Sequence, residues 1–331
     1  GSAFKTRALR RLGIPAMQFS DGPHGLRLQG EGANHLGIGG SIPATCFPTA
    51  TTVANSWDPA LGERLGQALG EEALAEGVDV VLGPGLCIKR SPLCGRNFEY
   101  FSEDSLLSGA MASNEIAGAK SKGVYSFMKH FALNDQETNR TNMVCTWANE
   151  QSIRETYLKP FEMSVKEGGA QAVMSSFNYI GYTYAGASSN LLQTVLRDEW
   201  GFKGFVLTDY FGGYGYQNAD QEVRAGNDSM LATTKITNHI TDKSATSVKA
   251  MRQAAHNILY TAANSWQYAN GEPKVATPIW KTAMYVAWGV TAVLVIGLEI
   301  VAIKRYLNRK KAVATVESAA EPVAAGPANA E

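Results

Sequence analysis

The chain has 331 residues, 45% hydrophobic and 18% charged, with 30 basic side chains set against 30 acidic ones. That is apolar material for one large core or two ordinary ones, and the cancelled charge gives no electrostatic footprint for a nucleic-acid partner. The sequence opens Gly-Ser-Ala-Phe with neither Met nor a signal peptide, so it is expected to be a fragment or a processed or trimmed form. From the N-terminus, Ile14–Phe19 reads as a short strand, followed by a helix over Pro59–Glu76 that starts at Asp58-Pro59. Strand Val78–Leu82, helix Glu103–Lys122 and strand Val124–His130 come next. Helix Ser152–Glu167, entered at Asn149-Glu150, precedes strand Ala172–Phe177, helix Leu191–Trp200 and strand Phe205–Asp209. A last strand is expected near Ala225–Leu231, and a last helix over Thr246–Asn264, broken by Asn270-Gly271-Glu272-Pro273. Alternation of this kind predicts a mainly parallel sheet with helices outside it. None of the four cysteines forms a C-x-x-C metal or redox pair. Cys87 and Cys94 flank a loop and could bridge; free thiols used as small apolar residues are the simpler reading.

The segment Ala283–Ile303 is of another kind. It has about the 20 apolar residues needed to cross a bilayer. Lys304, Arg305, Arg309, Lys310 and Lys311 follow it, against Lys274 and Lys281 before it. The positive-inside rule then places the C-terminus in the cytoplasm and the rest outside the cell. Trp280, Tyr285 and Trp288 suit the outer aromatic belt, and Glu299 is the one costly residue in the span. The expected organisation is a globular domain over residues 1–268, a linker over 269–281 and a single membrane helix over 282–303. A basic juxtamembrane segment and an Ala/Pro/Glu-rich disordered tail would fill 304–331. A buried core helix at 283–303 is the competing reading.

Asp209 closes the apolar run Phe205-Val206-Leu207-Thr208. In a parallel α/β barrel, reacting groups stand at the C-terminal ends of strands. A carboxylate there can attack a sugar's anomeric carbon, although an Asp at a strand end also serves as an N-cap. Five further motifs stand in order around it. They are Ser20-Asp21-Gly22-Pro23-His24-Gly25-Leu26-Arg27, then Gly95-Arg96-Asn97-Phe98-Glu99-Tyr100-Phe101-Ser102-Glu103-Asp104, then Lys129-His130-Phe131-Ala132-Leu133-Asn134-Asp135-Gln136-Glu137. Val173-Met174-Ser175-Ser176-Phe177-Asn178 and Leu196-Arg197-Asp198-Glu199-Trp200-Gly201-Phe202 complete the set.

Over about Phe4–Trp266 these motifs resemble the barrel domain of family 3 glycoside hydrolases, the β-glucosidase/β-xylosidase type. The resemblance implies an α/β fold, a (β/α)8 TIM-like barrel with an irregular start, followed by the single C-terminal transmembrane helix. It implies a retaining exo-glycosidase acting on a β-linked oligosaccharide or glycoside, with Asp209 as nucleophile. Asp21, Arg27, Arg96, Lys129, His130, Arg140 and Met174 would line the nonreducing-sugar subsite, with Glu99 in a supporting ion pair. Phe177 stands where the family often has Tyr, and Tyr210 where Trp often follows the nucleophile. No metal or organic cofactor is implied. The acid/base would come from an α/β-sandwich domain, a partner for which no Glu here matches the motif. An alternative is a membrane-anchored sugar-binding protein or inactive pseudoenzyme.

Overall fold

The computed structural model describes residues 4–29, 40–231, 238–271 and 279–319. It divides into two units, residues 1–275 and 276–331. In the first unit the strands are β1 (Phe19–Asp21), β2 (Val80–Leu82), β3 (Tyr125–Phe131), β4 (Cys145–Thr146), β5 (Ala172–Ser175), β6 (Tyr179–Ile180), β7 (Thr183–Tyr184), β8 (Phe205–Tyr210) and β9 (Ser229–Leu231). The main sheet has six parallel strands in the order β1-β2-β3-β5-β8-β9. A second sheet of three short strands, β4-β6-β7, lies apart from it.

Alternation along the strands sorts the core. Phe19, Val80, Leu82, Tyr125, Phe127, Ala172, Met174, Phe205 and Leu207 form one buried cluster. The residues between them, Met128, Val173 and Val206, pack instead against helix residues such as Met111, Ile116, Phe161 and Leu196. The first set is the interior of a curled sheet. Phe19 on β1 meets Phe205 on β8 with ring centroids 6.2 Å apart, although β2, β3 and β5 stand between those strands. A flat sheet would hold them about 19 Å apart. The expectation of eight parallel strands is therefore corrected to six among the described residues. On the free edge of β1 the chain pairs with itself: Phe19 N–H donates to Phe4 O at 2.8 Å, and Lys5 bridges Gln18 antiparallel. The expected strand Ile14–Phe19 is mostly this antiparallel turn-back, pivoting at Gly13 with φ +67°.

The outer helices begin where capping chemistry places them. Asp58 accepts from Ala60 N–H ahead of Pro59–Ala75, and Asp104 from Leu107 N–H ahead of Ser105–Ser121. These two helices cross at close range because Gly62, Gly66 and Gly70 stand at fourfold spacing on one face. A Cβ on Gly66 would run into the carbonyl of Glu115, so backbone meets backbone there. The helix Ala219–Ala225 was not expected; part of its ground was assigned to a strand. Its signals are local: Asn218 caps it by accepting from Gln221 N–H, and Gly226 ends it at φ +114°. All four cysteines are free, with Cys87 buried.

The described residues of the second unit form a single helix, Ile279–Ala319. Its 41 residues make a rod about 60 Å long, twice a bilayer's hydrocarbon core. The apolar side chains of its span are exposed. The basic cluster continues the same helix, and so does Ala312–Ala319, where the sequence predicts a disordered tail. Ala-rich sequence favours that continuation. Residues 320–331 and most of the expected linker lie outside the described residues.

Candidate active site

The strand interior turns polar at its C-terminal end. Continuing the inward alternation beyond Phe19, Phe127 and Leu207 brings Asp21, Lys129 and Asp209 to the mouth of the curled sheet. His130 should then point outward, but the pairing of β3 with β5 slips between Met128 and Phe131. Met128 and Phe131 both pack outward, so the two residues between them, Lys129 and His130, both reach the mouth.

The resulting cavity has a volume of about 240 Å³. Asp21, Arg96, Lys129, His130, Arg140, Met174, Asp209 and Tyr210 line it, with Phe4, Leu82 and Leu231 closing the sides. Two of the expected residues are not there. Arg27 stands in the neighbouring cavity of about 500 Å³, 3.6 Å from Asp21. Phe177 is buried behind the site, where its ring supports the Arg140 guanidinium at 4.6 Å.

A chain of ion pairs fixes the cationic side chains. Glu99 accepts from Arg96 Nε at 2.7 Å and binds Lys129 Nζ at 2.9 Å. Lys129 Nζ also donates to Asp21 Oδ1 at 3.2 Å. Burial alone would push the Glu99 carboxyl up, but Lys129 and Arg96 outweigh it and hold it below its ordinary value. The same balance lowers Asp21, through Lys129, the Gly22 backbone and Arg27, and raises Lys129, through Asp21 and Glu99. Glu137 forms an ion pair with Arg140 Nε at 3.1 Å and stands 3.7 Å from Arg96 Nη1. The supporting acids Glu99 and Glu137 carry a sequence signal, since each stands three residues from the Arg it holds.

His130 is not a cation here. Arg96 Nη2 lies 3.0 Å from His130 Nε2 and can only donate, so Nε2 accepts and the ring proton sits on Nδ1, facing Tyr100 Oη at 3.2 Å. Burial, with Arg96, Lys129 and Arg140 nearby, pushes its pKa well below the usual histidine value. The expected charge-assisted donor at position 130 is thus a neutral imidazole, and its 3.6 Å approach to Asp209 Oδ2 is no ion pair.

Asp209 is almost wholly buried. Its Oδ1 accepts from Tyr210 N–H at 2.6 Å. Its Oδ2 has no hydrogen-bond partner among the described residues, and neither has Nη1 of Arg140, 3.8 Å away. Burial raises the Asp209 pKa; Arg140, Arg96, the Tyr210 amide and Lys129 act against that rise. Two buried, opposite-natured polar atoms facing one cavity call for a ligand that both donates and accepts. A hydroxyl group does both.

Residues 4–263 match the family described as the glycosyl hydrolase family 3 N-terminal domain. The chain belongs to glycosyl hydrolase family 3. The family 3 domain is 45% identical over 258 residues to thermostable beta-glucosidase B of Acetivibrio thermocellus, covering 78% of this chain and 33% of that protein. It is 43% identical over 211 residues to an exo-alpha-(1->6)-L-arabinopyranosidase of Bifidobacterium longum, covering 63% and 28%. Beta-glucosidase 3B of Thermotoga neapolitana, solved with alpha-D-glucose, superposes at a TM-score of 0.74 with 36% identity, over 86% of this chain and 40% of that one. The fold is the family's TIM-like barrel. The chain spans about a third of the length of the curated relatives it matches.

Proposed function

We propose that the family 3 domain carries the sugar subsite and nucleophile of a retaining, exo-acting β-glycosidase of β-glucosidase type. The observation that carries this reading is the facing pair Asp209 Oδ2 and Arg140 Nη1 in the 240 Å³ cavity. Relatives named as β-glucosidases, and one solved with glucose, support the substrate class. In the proposed reaction Asp209 Oδ2 attacks the anomeric carbon, the glycosidic C–O bond breaks, and the leaving oxygen takes a proton from a general acid. A glycosyl ester on Asp209 results. Water, deprotonated by the same group, then attacks the anomeric carbon and frees Asp209.

The general acid is proposed to come from a separate α/β-sandwich domain. The other carboxylate lining the cavity, Asp21, is held ionised by Lys129 and Arg27 and is a poor proton donor. This chain alone should therefore release nitrophenol from nitrophenyl β-glucoside but cleave cellobiose very slowly, since general acid catalysis supplies roughly 10²–10⁴-fold. The intermediate should accumulate, and azide, which attacks without a base, should speed turnover and yield β-glucosyl azide. Ordinary cleavage of cellobiose by this chain alone, with no effect of azide, would place the acid/base inside these residues.

The helix Ile279–Ala319 is proposed to cross the cell membrane once, with its basic C-terminal end in the cytoplasm and the barrel outside. The partner of its apolar surface would be lipid. Deleting residues 279–331 should release the barrel from membranes without changing its thermal midpoint, because a span whose partner is lipid adds nothing to the barrel core. Misfolding or aggregation of the shortened chain would assign the helix to a protein core.

A further inference from the structure

The loop after β8 carries a second feature beside the catalytic cavity. Tyr210 lines that cavity, and Tyr214 and Tyr216 follow at alternate positions. A Cβ on Gly212 would lie 2.8 Å from Tyr210 Cε1 and 2.9 Å from Tyr214 Cε2, so the two rings closely flank this glycine. The rings of Tyr214 and Tyr216 are nearly parallel, 13° apart in plane with centroids separated by 6.2 Å. Tyr216 in turn meets Tyr179 and Tyr184, on β6 and β7, at 5.6 and 5.2 Å. There a second cavity of about 460 Å³ opens, lined by these three tyrosines, Tyr182 and the polar residues Thr183 and Gln221. The hydroxyl of Tyr216 is buried and has no hydrogen-bond partner among the described residues. Tyr182, at the rim, is 87% exposed.

Tyrosine offers an apolar face and a polar tip. A pyranose offers the complement: C–H groups on its faces and hydroxyls around its edge. We infer that Tyr214, Tyr216 and the tyrosine-lined cavity beyond them hold the successive pyranose units of a β-linked oligosaccharide whose nonreducing end sits at Asp209. This rests on the sugar subsite proposed above and assigns it a preference for longer chains.

The test is calorimetric binding of glucose and of thio-linked, non-hydrolysable cellobiose and cellotetraose to the full chain. A detergent without a sugar headgroup, such as an amine oxide, avoids competition. Affinity should rise at least tenfold from glucose to cellotetraose. Tyr216→Ala should abolish that gain while leaving glucose binding unchanged, and Tyr216→Phe should keep most of it. Tyr182→Ala, at an exposed position that carries no risk to the fold, should lower the gain severalfold. Equal affinity for all three sugars, or a full length-dependent gain in both alanine variants, overturns the inference while leaving the glucose subsite standing. Failure of every sugar to bind overturns both.

Discussion

Asp209→Asn, made in the protein together with its acid/base domain, should lower turnover of β-glucosides by roughly 10⁴-fold or more without loss of stability. An amide keeps the shape of the carboxylate but is not an effective nucleophile at an anomeric carbon. Its effect on stability has the opposite sign from that of most active-site damage. The Asp209 pKa is raised, so its surroundings disfavour the charged form despite Arg140 and Arg96. A neutral amide removes that cost at neutral pH, and the thermal midpoint should hold or rise. A midpoint that falls sharply would mean that Asp209 holds the mouth of the barrel together, and the loss of activity would then say little about chemistry.

Glu115→Gln should flatten the dependence of stability on pH between about 4.5 and 8. Glu115 sits on Ser105–Ser121 where that helix is pressed against Gly66, and it is 4% exposed. Burial pushes its carboxyl from 4.5 to about 8. An acid with a raised folded pKa keeps its proton in the fold after the unfolded chain has lost it. The folded state therefore binds more protons across this window, and stability falls as pH rises from 4.5 towards 8. The cost above pH 8 is about 5 kcal/mol as an upper bound. Chemical denaturation at pH 5 and pH 8.5 measures it. Glutamine should narrow the gap between the two conditions, most of its benefit appearing at the higher pH. An unchanged gap would mean that Glu115 reaches water when it ionises.

Much of the framework was legible because it depends on strand and helix periodicity. β2, β3, β5 and β8 fall within or close to apolar runs visible in the sequence, and Asp209 stands at the end of one of them. Asp58 and Asn149, read as helix starts, each cap a helix. What escaped depends on contacts between distant residues. β6 and β7 are two residues each, too short for any period to register. The alternation that correctly faces Lys129 inward would face His130 outward, and only the slip of β3 against β5 brings both to the cavity. The neutral state of His130 follows from its burial and from Arg96, 34 residues away in sequence. Phe177 follows β5 closely, yet its ring turns behind Arg140, which no local pattern reveals. The small helix Ala219–Ala225 could have been found, since Asn218 and Gly226 are ordinary start and stop signals.

In the proposed mechanism Asp209 forms a covalent bond to the sugar. Incubation with a 2-deoxy-2-fluoro-β-glucosyl fluoride, followed by proteolysis and mass spectrometry, tests it directly. The fluorine at C2 slows both steps by destabilising their cationic transition states, and the reactive leaving group lets the first proceed without a general acid. One fluoroglucosyl group per chain, on the peptide containing Leu207-Thr208-Asp209-Tyr210, is the predicted result. Labelling of Asp21, Glu99 or Glu137 instead, with Asp209 untouched, would contradict it.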